Sequence, residues 1–207
     1  YGLNLTFGET LNFENYAHYI VTGFMAYSAL LSALYGASYG TFEKIEFQGT
    51  YKAILATPLK LHHLIFVDIL WNTLRSLLVG TLVGVSASLI LGIFTLQNTF
   101  LVIPLIFIGA FAGSCFGIAT VSICKKYDDL VIFEAGIAIF FIFSGVFTFI
   151  DKFPQTIQFI VQFFPLYHAV EAVRSPSVAL NHVLTLILMS IICFTFAHQK
   201  LKARLLS

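Results

Sequence analysis

Residues 163–175 read FFPLYHAVEAVRS. A His, a Glu and an Arg crowd one short helical stretch with apolar sequence on either side. What such a stretch can be depends on the solvent around it, and composition decides that. The chain has 207 residues, of which 58% are hydrophobic and 10% charged, and its mean hydropathy is +0.91. A soluble domain of this size carries about a quarter charged residues. There is too little polar surface here to wet a globule, so lipid must cover the remainder. A helix bearing His168, Glu171 and Arg174 through the centre of a bilayer would cost several kcal/mol. A short helix that only dips from the interface avoids most of that cost.

The spacing fits a dipping helix. His168, Glu171 and Ser175 fall at i, i+3 and i+7, Arg174 lies i+3 from Glu171, and Leu166, Val170 and Val173 cover another side. Pro165 suits a first helical turn, where its missing N–H has no role. Just before it, Phe153, Ile157, Ile160, Val161 and Phe164 recur at helical spacing with Gln155, Gln158 and Gln162 on other faces, between Pro154 and Pro165. The stretch 153–178 is therefore expected to form a re-entrant pair of short helices.

Crossing about 30 Å of hydrocarbon takes roughly 20 helical residues. Five stretches have that length: 19–41, 67–93, 101–124, 130–150 and 181–199. The start of the second is the most polar, with Asp68, Asn72 and Arg75 in its first turns. The expected fold class is an all-α integral membrane protein with five spans, one domain over 1–207 and no internal repeat.

Basic residues orient it. Lys44, Lys52, Lys60, Lys125, Lys126, Lys200, Lys202 and Arg204 lie on one side of the five spans, and only Lys152 and Arg174 on the other. The segment is expected to start outside a cell (inner) membrane and end in the cytoplasm, with one more helix before Tyr1 in a complete chain.

A second insertion follows the first span. FEKIEFQGTYKAILATPLKLHHLIF (42–66) is too charged to span and too apolar for a free loop, with Gly49 and Pro58 as punctuation. It reads as a short helix over 43–61 on the inner face. That helix is either a lipid-interface anchor or a docking surface for a cytoplasmic partner.

Several chemistries find little support. Net charge is +1, with no basic field for nucleic acid. Cys115, Cys124 and Cys193 sit in apolar runs without a CxxC pair. HxxE in YHAVE lacks the second copy and the carboxylates of a helical-bundle metal site. No serine-hydrolase elbow and no Walker A pattern occurs, so an ATPase, if one is needed, is a separate subunit. Gly109, Gly113 and Gly117 form overlapping GxxxG steps suited to close helix packing.

Taken together, SGVFTFIDKFP (144–154), FFPLYHAVEAVR (163–174) and YKAILATPLKLHHLIFVDILWNTLR (51–75) resemble stretches of the permease subunit of ABC-2 type transporters, in the same order. Tyr19 and Gly23 also stand where that family places a Tyr and a Gly. Thr22 replaces a frequent Pro. The resemblance implies an exporter subunit that is not itself an enzyme. Two permease copies, as a homodimer, would pair with two cytoplasmic ATP-binding subunits, which would hold the ATP and Mg; no cofactor is expected in this chain.

The resemblance also implies roles. Glu43, Tyr51, Lys52, Thr57, Pro58 and Lys60 would form the coupling helix received by the ATPase. Phe147, Pro165, Tyr167, His168, Glu171 and Arg174 would line the substrate path or outer gate. The implied cargo is amphipathic or lipid-linked, such as an oligosaccharide, polysaccharide, lipid or drug. An ATP-independent carrier or channel is the alternative; it would place ionisable groups mid-membrane, where these spans have none. An intramembrane enzyme or scaffold is a third reading.

Overall fold

The computed structural model describes residues 13–92, 96–142, 144–146, 150, 154–174 and 179–205. All regular structure among them is helical: α1 (Phe13–Glu46), α2 (Thr50–Leu55), α3 (Leu61–Ile90), α4 (Leu96–Ile123), α5 (Tyr127–Ile142), α6 (Gln155–Val161), α7 (Pro165–Arg174) and α8 (Ala179–Leu205). Helices are what hydrocarbon permits, since each backbone group finds its partner inside its own segment.

Among the described residues, four helices are long and apolar enough to cross a membrane: α1, α3, α4 and α8. The fifth expected span falls on the shorter α5, which leads from the end of α4 back to Gly145, beside Tyr19 near the start of α1. The stretch 130–150 is not one continuous helix, because the described α5 has 16 residues, about 24 Å at 1.5 Å per residue. Beyond it Ser144, Gly145 and Val146 are buried outside any helix, and Gly145 adopts φ +83°. Left-handed backbone of this kind ends helices and favours glycine. The chain unwinds there and presents carbonyls to its neighbours.

The insertion expected as one helix over 43–61 is also divided. α1 continues through Glu46, Gly49 turns the chain at φ +64°, and α2 occupies six residues before α3 begins at Leu61. The pair expected over 153–178 is present as α6 and α7, with α7 opening on Pro165.

α1 is the central rod. It packs on α3, α4 and α7 and buries Ala26, Ala29, Leu30, Ala33, Leu34 and Ala37. Small residues set the approach to α4. A Cβ on Gly113 would lie 2.6 Å from the Leu30 carbonyl oxygen, and one on Gly117 would strike that of Leu34. Backbones this close are the GxxxG geometry.

α3 is inside out by the standards of a soluble helix. Beyond Leu61, Ile65 and Ile69 at its start, its buried face is Asp68, Asn72, Thr73, Ser76, Gly80 and Gly84, whereas Phe66, Val67, Trp71, Leu74, Leu78 and Leu82 are exposed. In water that apolar face would be an aggregation surface; in lipid it is ordinary. The buried hydroxyls pair across helices, Thr73 with Ser114 of α4 at 3.2 Å and Ser76 with Ser32 of α1 at 3.2 Å.

The basic end is stitched by Arg204 of α8. Its Nη1 donates to the Val121 and Cys124 carbonyls, 3.0 and 2.9 Å, at the end of α4, and its Nη2 meets Glu46 of α1 at 2.8 Å. Those last carbonyls have no partner within their helix, so a cation there satisfies them.

Gly113→Leu is expected to force α1 from α4 and cost about 1–3 kcal/mol, read as a lowered Tm in detergent. Gly40→Ala, which would meet nothing within 4 Å, should leave Tm unchanged or raise it.

Candidate functional sites at the two ends of the bundle

At the basic end, the surface forms around α2. Lys52, Ala53, Ala56, Thr57, Pro58, Leu59 and Lys60 are exposed, as are Glu43 and Phe47. Glu43 accepts a hydrogen bond from the Gln48 amide at 3.1 Å, and the Thr57 hydroxyl turns back onto the Ile54 carbonyl at 2.6 Å. Of the six residues expected there, five lie at the surface and Tyr51 does not. Tyr51 is fully buried.

Its phenol donates to Asp68 Oδ2 at 2.6 Å, Lys44 Nζ holds Oδ1 at 2.7 Å, and the Asn72 amide donates to the Asp68 carbonyl at 2.9 Å. Burial, reinforced by the Asp68 carboxylate, pushes the Tyr51 phenol far above its ordinary range. It stays a donor at any physiological pH. Lys44 (α1), Tyr51 (α2) and Asp68 (α3) thus form one clasp, and α2 moves only with α1 and α3. Asp68 and Lys44 were not among the expected site residues. Asp68 reads in sequence as a polar start to a span, and nothing local shows its distant partners.

At the opposite end, α7 carries the cluster. Pro165 and His168 are buried, while Tyr167 and Glu171 are half-buried. Phe147 lies outside the described residues. Arg174 is held by backbone: Nη1 donates to the Gly145 carbonyl at 2.6 Å, and Nη2 to the carbonyls of Tyr19 and Val146, each at 3.1 Å. The guanidinium carbon lies 3.5 Å from the centroid of the Tyr19 ring, whose hydroxyl donates to Gly145 at 2.9 Å. Glu171 stands 3.7 Å from Nη1.

Burial lowers the Arg174 pKa from its ordinary value, with Tyr19 and Glu171 acting in the opposite sense. A guanidinium starts high enough to remain charged. Gly23 makes the room, since a Cβ there would lie 2.5 Å from Arg174 Nη2.

His168 faces elsewhere than Arg174. Its Nε2 lies 2.8 Å from the Gln162 carbonyl oxygen and its Nδ1 lies 2.9 Å from Nδ1 of His182 on α8. The Tyr167 ring centroid is 5.1 Å from that of His168 and 5.7 Å from that of His182. His182 went unrecognised in the sequence, because a lone His opening an apolar helix gives no sign of a partner 14 residues earlier.

One more buried acid stands apart. Glu134 of α5 is 3% exposed, neither carboxylate oxygen has a hydrogen bond of acceptable geometry, and Ser38 and Tyr39 of α1 are its polar neighbours.

Residues 3–178 match the family described as ABC-2 type transporter. Among curated proteins, the chain is 26% identical to nodulation protein J of Rhizobium leguminosarum bv. trifolii over 200 residues, 93% of this chain and 76% of that protein. It is also 26% identical to nodulation protein J of Bradyrhizobium diazoefficiens over 176 residues, 84% of this chain and 66% of that protein. No solved structure matches the chain.

Arg174→Lys keeps the charge but not the planar fork that reaches three carbonyls. It is expected to destabilise the fold by about 2 kcal/mol, measured as a drop in Tm. Tyr51→Phe at the other end should cost about 1.5–3 kcal/mol, the range for a hydrogen bond to a charged group.

Proposed function

The chain belongs to the ABC-2 type transporter family, and from that premise we propose that it is the permease subunit of an ATP-driven exporter. In this reading the basic end faces the cytoplasm of an inner (cell) membrane, in keeping with the distribution of Lys and Arg. A separate ATP-binding subunit holds the ATP and Mg and docks on the exposed surface around α2. A second copy of the permease completes the translocating unit. The cargo is amphipathic or lipid-linked, in keeping with a bundle whose long helices are apolar outside and whose polar groups gather at the ends.

The observation that carries this reading is the Lys44–Tyr51–Asp68 clasp. A free interfacial anchor would need no rigid attachment to the bundle. α2 has one, and its outward residues, Lys52, Thr57, Pro58 and Lys60, are unburied. A push on α2 is therefore delivered to α1 and α3 as rigid bodies, the kind of element that interconverts packed states.

The test uses the full-length protein in membranes with its ATP-binding partner. Lys52→Glu together with Lys60→Glu is expected to lower export and transport-linked ATP hydrolysis at least tenfold. Membrane insertion and Tm should stay unchanged, because both side chains are exposed. Export and ATPase stimulation at wild-type levels in the double variant would overturn the docking role. Purification of the active transporter without an ATP-binding subunit would overturn the exporter reading.

A further inference from the structure

The His168–His182 contact has only one arrangement of protons that works while both rings are neutral. A backbone carbonyl can only accept, so the Gln162 oxygen fixes the proton of His168 on Nε2. Nδ1 of His168 is then a bare acceptor. At 2.9 Å, Nδ1 of His182 must supply the hydrogen. The free site for a first added proton is Nε2 of His182. That proton leaves the bond intact and makes its donor cationic, which strengthens it. A second proton has to go on His168 Nδ1, where it meets another N–H head-on and places two imidazolium charges side by side. The bond cannot survive that step.

Among the described residues, the groups around the pair do not rescue it. On α7 the other ionisable side chains are Tyr167, whose ring packs on both imidazoles, and Glu171 and Arg174, which face each other one and two turns away. α4 offers only Cys115, the first half of α8 offers only His182 itself, and α6 offers none. The start of the described part of α1 brings His18, which is exposed, and Tyr19, which is engaged with Arg174.

We propose that α6 and α7 form a flap hinged at Arg174 and latched to α8 by the His168–His182 hydrogen bond, and that acid releases the latch while leaving the hinge closed. The two attachments differ in the property that matters. The Arg174 guanidinium does not titrate in any physiological range, and its three acceptors are carbonyls that do not titrate at all. An imidazole is the side chain that ordinary acidity protonates. Release therefore removes the polar tie between the first turns of α7 and α8, leaving only apolar packing of Leu166, Ala169 and Val170 to hold the turn at 162–164, while the end of α7 remains pinned to α1 and to Gly145–Val146.

The sign follows from linkage. Burial lowers the His168 pKa; the Gln162 carbonyl acts in the opposite sense, and His182 lowers it further. On release the His168 ring regains an ordinary imidazole pKa, so the open flap accepts the proton on His168 Nδ1 that the latched form excludes. Because the first added proton strengthens the latch, the latched form loses ground only once the pH is low enough to add this second one, and then by up to about tenfold per unit.

Hydrogen–deuterium exchange of the full-length protein in lipid nanodiscs, corrected for intrinsic amide chemistry, reads the flap directly. It does not depend on which side of the membrane the flap faces or on the exporter reading. In wild type, exchange of the α7 amides is expected to accelerate by up to about tenfold per unit below about pH 6, with α1 and α4 unchanged. His182→Gln should remove the pH dependence and keep wild-type protection at neutral pH. Its side-chain amide can donate to neutral His168 and accept from the protonated ring. His182→Leu should exchange fast in α7 at every pH. Should the Leu variant lose protection in α1 and α4 as well, its fold has failed and the Gln variant decides alone. A flat wild-type profile, or a wild-type slope in His182→Gln, would overturn the latch.

Discussion

Hydrocarbon offers no hydrogen-bond partner to a polar group and little screening to a charge, so burying such a group inside the bundle is costly unless the protein itself supplies a partner. That constraint arranges the bundle more than hydrophobic burial does, because lipid tails are as apolar as leucine. α3 shows the consequence most directly. It turns Asp68, Asn72, Thr73, Ser76, Gly80 and Gly84 inward and gives Leu74, Leu78, Leu82 and Trp71 to the surroundings. α1 and α4 then approach along glycines, where van der Waals contact and short reach replace hydrophobic drive.

Besides the Arg204 stitch, the same rule builds two clasps from buried charged groups, and α1 belongs to both. Near its end, Lys44 meets Asp68 of α3 and, through that carboxylate, Tyr51 of α2. Near its start, the Tyr19 ring and carbonyl receive Arg174 of α7. Between them runs a helix of 34 residues, seated on α4 with backbone-to-backbone contact at Leu30 and Leu34. On the proposed reading, a displacement at α2 therefore has a stiff route to the base of the flap. Packed helices have discrete alternative seatings rather than a continuum, so the expected response is a shift of α1 as a unit.

Much of this was legible in the chain itself, and the parts that were not share one cause. Pro165, the spacing of His168, Glu171 and Arg174, and the unbroken apolar runs are local patterns. They point to a helical membrane protein with a short charged helix that does not span. What those charges touch is not local. Arg174 finds carbonyls of residues 28 to 155 positions away, and a carbonyl carries no mark of its role in the sequence. Only Gly23 and Gly145 hint at the space and the turn required. His182 and Asp68 were missed for the same reason. Tyr51 sits amid surface residues in the sequence, yet it points inward to Asp68. The stretch 130–150 keeps its apolar character past the point where the helix stops, because Ser144–Val146 are buried as loop backbone and hydropathy does not distinguish the two.

The choice of arginine at position 174 is itself informative. A buried cation is normally answered by a carboxylate, and removing one partner of such a pair leaves an expensive orphan charge. Here Glu171 pairs with it only loosely, 3.7 Å from Nη1, and the hydrogen bonds come from three carbonyls beside an aromatic face. Carbonyls and a ring face keep the same charge at every pH, so protonating Glu171 would remove the ion pair and leave these bonds in place. They can be loosened only by moving the backbone that supplies the oxygens, namely α1 at Tyr19 and the turn at Gly145–Val146. The hinge of the flap is thus tied to the position of α1, whereas the latch at His168 is tied to proton activity. Two independent inputs converge on one ten-residue helix.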